Sequence, residues 1–362
     1  MNREDTAFSE DDERQMLLSV EKWLEREVRP NVRRLEHADA YPREMAEQIQ
    51  ELGLFGATIS PRYGGLGMPT ASYAKIVSLI SEVWISPVGL FSPHLMMAAA
   101  VERFGTEAQK QHFLPRFAAG ELRGGLALTE PDCGTDLQAI STRAVRDGDR
   151  YVINGAKSWI TNSAEGSCLA LLVKTDPEAD PRHRGMSLFV IEPGAGFRVT
   201  RKLDKLGYRG IDTAEFVLED FSVPNANLIG GEEGRGLQHA LAGLELGRVN
   251  IAARGVGLAR AALKDSVRYA QQRKTFGKPI GEHQAIQLKL ADMATRCEAA
   301  WLLTDSAAKA YDRGERCDME AGMAKLFASE AALENSIEAM RIHGAYGYSK
   351  ELDVERYYRD AP

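Results

Sequence analysis

Leu126 to Asp136 reads Leu-Ala-Leu-Thr-Glu-Pro-Asp-Cys-Gly-Thr-Asp. A short apolar run ends in a polar turn built around Pro131 and Gly134. The run fits a buried strand end. The turn gathers backbone N–H groups and the hydroxyls of Thr129 and Thr135 at one place. Such a set can hold a flat heteroaromatic ring at one end and a phosphate at the other; a plain surface turn would have the same composition. Further on come Lys157-Ser158-Trp159-Ile160-Thr161-Asn162-Ser163, then Gln272-Arg273-Lys274-Thr275-Phe276-Gly277-Lys278-Pro279-Ile280, then Arg341-Ile342-His343-Gly344-Ala345-Tyr346-Gly347-Tyr348. Glu245 and Arg248 lie one helical turn apart on one face, which is also how an ordinary surface ion pair looks.

These blocks, in this order, resemble the acyl-CoA dehydrogenase family of flavoproteins, with a short- or medium-chain character. The Thr-Glu-Pro-x-x-Gly-Thr-Asp and Arg-Lys-Thr-Phe-Gly blocks are specific together, and the resemblance spans nearly the whole chain. It implies FAD-dependent α,β-dehydrogenation of an acyl-CoA thioester to the trans-2-enoyl-CoA. A glutamate takes the α proton, hydride leaves the β carbon for flavin N5, and electrons pass to an electron-transferring flavoprotein. By resemblance, Leu128, Thr129, Gly134, Thr135, Trp159 and Thr161 contact the flavin cofactor, with Thr129 and Thr161 at the ring edge and Trp159 packed on the ring. Arg273, Thr275, Phe276, Arg341, Gly344 and Gly347 match blocks that reach FAD across a subunit interface, so the family's homotetramer, a dimer of dimers, is implied. Many relatives have Gln in place of Arg341. Thr135, Glu245 and Arg248 match positions at the acyl-CoA site.

Two departures stand out. The family's base lies in Glu-Gly-Thr shortly after an Arg-Asp-Ala motif, and here Arg359-Asp360-Ala361-Pro362 closes the sequence. The catalytic glutamate is therefore expected beyond Pro362. An alternative position for the base, immediately before the matched arginine, is Gly247, and neither Glu245 nor Glu130 substitutes for it. Leu126 stands where some relatives have an aromatic. Other readings are an acyl-CoA oxidase, or a catalytically silent flavin or acyl-CoA binding paralogue. Between about Val83–Met97 and Leu241–Leu246, where chain length would be set, charges are few. That favours a plain acyl chain over one ending in carboxylate, such as glutaryl-CoA.

The bulk properties agree with a folded enzyme. The chain has 362 residues, 44% hydrophobic and 27% charged, which suits two or three packed lobes. A formal charge of -7 argues against nucleic acid. Cys133, Cys168, Cys297 and Cys317 form no Cys-x-x-Cys pair and the seven histidines show no ligand spacing, so no metal site is expected. Free thiols, a polar acidic stretch from Met1 to Glu13 and the lack of a bilayer-length apolar run point to the cytoplasm.

The positioning elements follow from periodicity. Helices are expected through residues 1–122: one capped by Ser9 and ended near Pro30, one over Met45–Leu54, helices over Ala71–Phe104 broken at Pro87 and Pro93, and one over Gln109–Phe117. Gly64-Gly65-Leu66-Gly67 reads as a loop, lacking the Lys-Ser/Thr of a phosphate loop. Residues 123–232 read as a small antiparallel barrel or sandwich. Asp147-Gly148 and Asn154-Gly155 mark turns; strands cover Cys168–Lys174, Met186–Ile191 and Ala214–Leu218. Arg182-His183-Arg184 falls at a solvated hairpin tip. Residues 233–362 carry long helices from Gly236 towards Arg273, over Gln284–Ala310 and over Met319–Ile342, a bundle. The expected architecture is α+β multidomain: a helical lobe, a β-barrel lobe and a four-helix bundle.

Overall fold

The computed structural model describes residues 8–362; Met1 to Ala7, the start of the acidic stretch discussed above, lie outside it. The first lobe is α1 (Glu10–Trp23), α2 (Val32–His37), α3 (Arg43–Glu51), α4 (Thr70–Val83), α5 (Ser86–Phe104) and α6 (Glu107–Ala118). Ser9 caps α1: its Oγ accepts from the Asp12 N–H at 3.1 Å, and Asp12 accepts from the Ser9 N–H at 2.9 Å. Two free donors of the helix start are thereby satisfied. The Gly64–Gly67 segment is a loop, as its composition predicts.

The middle of the chain is one curled seven-stranded sheet, a half-barrel. Its strands are β1 (Gly124–Ala127), β2 (Arg143–Asp147), β3 (Arg150–Thr161), β4 (Cys168–Lys174), β5 (Met186–Ile191), β6 (Phe197–Lys202) and β7 (Thr213–Pro224). The order is β1-β4-β2-β3-β7-β6, with β5 on β4. The sheet is not wholly antiparallel. β1 and β2 pair with β4 in parallel, with Gly124 opposite Cys168 and Arg143 opposite Lys174. Parallel pairing needs a long crossover, and the β2–β3 hairpin, with Asp147 opposite Arg150, lies within it.

Asn154-Gly155 is not a turn. It sits inside β3 at a register shift against β7. Gly155 has φ 154°, and a Cβ there would run into Thr142 Oγ1. A glycine within a strand pattern can mark a bulge as well as a turn.

β4 is buried on both faces. Cys168, Ala170 and Leu172 join the core shared with the helices, while Leu169, Leu171 and Val173 fill the inside of the sheet. The two-residue period of a strand sends alternate side chains to the two cores.

The last region holds α7 (Gly236–Gln272), a two-residue pair β8 (Lys274–Thr275) and β9 (Lys278–Pro279), α8 (Gln284–Asp312), α9 (Asp318–His343) and α10 (Val354–Asp360). α7 is the axis of the molecule. Its Ala252, Ala253, Val256 and Leu258 are buried, and the small residues among them let α4 and α9 pack close. α10, too short for its period to register in the sequence, folds back so that Tyr357 Oη donates to Asp265 on α7 at 2.8 Å.

Pro87 lies at the start of α5, as expected, but Pro93 lies inside it. A proline there leaves the Gly89 carbonyl without its helical donor. Asn162, just past β3, replaces it: Nδ2 lies 3.1 Å from Gly89 O, 3.3 Å from Leu90 O and 3.2 Å from Gly124 O. The helix continues because the sheet supplies the missing N–H.

Candidate functional site

The turn after β1 is held from beneath. Glu130, 4% exposed, accepts from Ser141 N at 2.6 Å, Ser141 Oγ at 2.8 Å, Thr142 N at 3.1 Å and Lys157 Nζ at 2.9 Å. Lys157 is fully buried and also donates to Leu128 O at 2.9 Å. The Ser158 N–H donates to Thr129 O at 3.0 Å. Burial alone would raise the Glu130 carboxyl. The Lys157 ammonium and the Ser141 and Thr142 donors outweigh it and bring the group down to about 2. Burial pushes the Lys157 ammonium in the other direction from its partner, downwards, against the pull of Glu130. Glu130 is thus a fixed structural carboxylate, and the turn it anchors has one conformation.

Trp159 faces outward for a local reason. β3 shifts register against β7 between Lys157 and Ile160, and Trp159 takes φ 61°, rare for a bulky side chain. The bulge re-aims the indole and leaves it 61% exposed. With Leu128, Thr129, Ile160 and Thr161 it forms one wall of a cavity of about 620 Å³.

The facing wall is α7, with α5 beside it. Leu244, Gly247, Arg248 and Ile251 recur at helical spacing on the cavity side. Met96 of α5 closes over Gly247: a Cβ at 247 would lie 2.7 Å from Met96 Cε and 3.2 Å from its sulfur. A longer side chain there would have to displace Met96. Ser92 and Pro93 of α5, Tyr208 from the loop before β7, Asn250 and Arg254 of α7, and Gly322 and Lys325 of α9 complete the lining. Among the described residues no Asp, Glu or His lines this cavity, so it is cationic.

Of the residues singled out from the sequence, Leu128, Thr129, Trp159, Thr161 and Arg248 come together here. Gly134 and Thr135 sit on the exposed part of the turn. Their N–H groups donate to no protein acceptor among the described residues. Glu245 does not pair with Arg248; its carboxylate lies 3.7 Å from Arg103. Arg273, Thr275 and Phe276 lie at the β8–β9 hairpin outside the cavity, with Phe276 96% exposed. Arg341 pairs with Glu338, and Gly344 and Gly347 form the turn after α9. Leu126 lines the cavity.

Tyr208, Asn250, Arg254 and Lys325 were not legible as site residues. Arg254 follows Gly247 by two helical turns, so the same face returns. Arg254 lies beyond Val83–Met97 and Leu241–Leu246, the stretches whose few charges favour a plain acyl chain, and adds a cation to the same cavity.

A helical lobe, a curled half-barrel sheet and a helical bundle meet at this one cavity. Family models for the acyl-CoA dehydrogenase N-terminal, middle and C-terminal domains match residues 10–121, 125–221 and 234–362. The chain belongs to the acyl-CoA dehydrogenase family. It is 39% identical over 344 residues to an acyl-CoA dehydrogenase of Bacillus subtilis, covering 94% of this chain and 90% of the relative. Butyryl-CoA dehydrogenase from Megasphaera elsdenii superposes with a TM-score of 0.92 at 35% identity, over 100% of this chain and 94% of that one. A chain from a structure described as electron transferring flavoprotein of Acidaminococcus fermentans gives 0.94 at 36% identity, over 99% and 94%. Among the described residues, no helix is long and apolar enough to cross a membrane.

Proposed function

We propose that the protein oxidises an acyl-CoA thioester to the trans-2-enoyl-CoA with FAD. The supporting observation is the cavity itself, with Trp159, Thr129 and Thr161 on one side and α7 with Arg248 on the other. The residues suit the cofactor. An exposed indole offers a flat face, Thr129 and Thr161 offer hydroxyls, and the unpaired N–H groups of Gly134 and Thr135 suit phosphate. Bound FAD would supply the acceptor for hydride from the β carbon. The protein's part is orientation: the cavity aligns the α and β C–H bonds between its two walls and keeps water out. Arg248, exposed at the cavity, contacts the CoA-bearing end.

The α-proton acceptor is not among the cavity-lining residues, and Glu130 is committed to Lys157. We assign that role to a glutamate following the Arg359-Asp360-Ala361 motif. The position is suitable: Asp360 Oδ1 accepts from the Tyr208 N–H at 2.6 Å, and Tyr208 lines the cavity. Electron-transferring flavoprotein is the proposed acceptor, on the strength of the similar chain from that structure. A homotetramer is proposed from the exposed Phe276 and an apolar stripe on α9, where Met319, Met323 and Leu326 are 66%, 46% and 63% exposed. The reducing cytoplasm fits four free, buried cysteines.

The test is anaerobic mixing of the flavin-loaded, full-length protein with acyl-CoA thioesters. Loss of oxidised-flavin absorbance with a subset of them is expected. Yellow protein that no thioester bleaches would replace this reading with that of a silent paralogue.

A further inference from the structure

The part of the cavity around Arg254 is suited to an anion. Arg254 is only 7% exposed and lines the cavity. Its Nη1 donates to Tyr208 Oη at 2.8 Å, and its Nε has no acceptor. No carboxylate of the described residues pairs with it. Beside it, Asn250 is 1% exposed; its Nδ2 donates to Tyr73 Oη at 2.7 Å and its Oδ1 is unpaired. A phenol both donates and accepts, so Tyr73 can donate to Oδ1 and free Nδ2 for a ligand. Ser92, also buried, adds a hydroxyl.

A guanidinium in such a place is tolerable while water fills the cavity. An alkyl chain entering it would strip that water and give nothing back, leaving a buried cation unpaired. A carboxylate at the chain's end would instead meet the planar donor fork in the bidentate geometry that guanidinium favours. Arg254 lies seven residues beyond Gly247, roughly 10 Å along α7. Arg254 and the matched Arg248 thus line one cavity about 9 Å apart along the helix.

We infer that Arg254, with Asn250 and Ser92, recognises a terminal carboxylate, so that the acyl group is that of a short dicarboxylic acid carried as its CoA monothioester. This rests on the acyl-CoA dehydrogenase reading of the cavity. Tyr208 positions the guanidinium and is itself held by Asp360 through its backbone N–H. Arg254 touches no reacting carbon and acts on specificity.

The experiment compares succinyl-CoA and glutaryl-CoA with the methyl ester of glutaryl-CoA and with butyryl-CoA, using flavin-loaded full-length protein. Flavin bleaching gives kcat/KM, and the perturbation of the flavin spectrum on binding gives Kd. A free-acid thioester is expected to exceed the ester by about 100-fold in kcat/KM. Arg254→Met should reduce that ratio by about 100-fold, and Arg254→Lys should restore part of it. Equal bleaching by acid and ester in the unmodified protein would overturn the inference without any variant. So would an equal slowing of both by Arg254→Met. Bleaching by butyryl-CoA with rejection of both acids would sink this inference and leave the dehydrogenase intact. Failure of every thioester would remove the dehydrogenase reading and this inference with it.

Discussion

The two walls of the cavity solve the problem of buried polar groups in opposite ways. Under the β1 turn, Glu130 and Lys157 are both buried, and every charge is met: four donors reach the carboxylate and two acceptors meet the ammonium. Along α7 and α5, Arg254 Nε and Asn250 Oδ1 are left without partners. Complete satisfaction marks a scaffold, since such a network has one arrangement and no vacancy. Incomplete satisfaction marks a place prepared for something that arrives later. Within one cavity, the sheet side is therefore a fixed platform, and the α7 side is where selectivity resides.

The comparison breaks most readily at Lys157. Lys157→Met would leave Glu130 charged and buried without its counter-ion, and a loss of about 3–5 kcal/mol is expected. Urea unfolding measures it, and retention of flavin should fall in parallel because the Thr129 turn loses its anchor. A smaller loss would mean that the backbone donors alone hold the carboxylate.

Acid sharpens the same point. Glu130 sits at about 2 when folded against an ordinary 4.5. Its folded value is the lower one, so its contribution is complete above about pH 4.5. It disappears as the pH falls through 2, an effect of roughly 3 kcal/mol. Stability measured stepwise over that window should show a component that is missing in Glu130→Gln.

The smallest effect is expected on the other wall. Arg254→Met removes a buried cation that has no anion, so the folding free energy should move by less than about 1 kcal/mol, with a gain as acceptable as a loss. Unfolding of the ligand-free protein checks this. A loss comparable to that of Lys157→Met would show that the α7 wall is scaffold too.

Much of this was legible beforehand. α7 begins at Gly236 and ends at Gln272, as the recurrence of Leu237, Leu241 and Leu244 requires, because a long helix repeats its signal many times. β4 and β5 read correctly because uninterrupted apolar runs bounded by polar turns have few other outcomes. β6 was missed: its alternation is written in charged residues and one face is open to water. Leu128, Thr129, Trp159 and Thr161, which line the cavity, were legible because they are contiguous along short blocks. Tyr208, Asn250, Arg254 and Lys325 were not, because they come from three separate elements whose meeting is a property of packing. Asn154-Gly155 and Pro93 misled for a shared reason. Each is a break signal only if nothing else in the fold meets the backbone's needs, and Asn162 meets them for Pro93.

That last contact bears on how the chain acquires its shape. The turn of α5 before Pro93 is completed by an amide from beyond β3, a segment synthesised some seventy residues later. Until the sheet docks, the Gly89 carbonyl has only water as a donor, so docking completes this turn of the helix. Asn162 thus joins the helix that walls the cavity to the sheet that faces it, beside the apolar core the two lobes share.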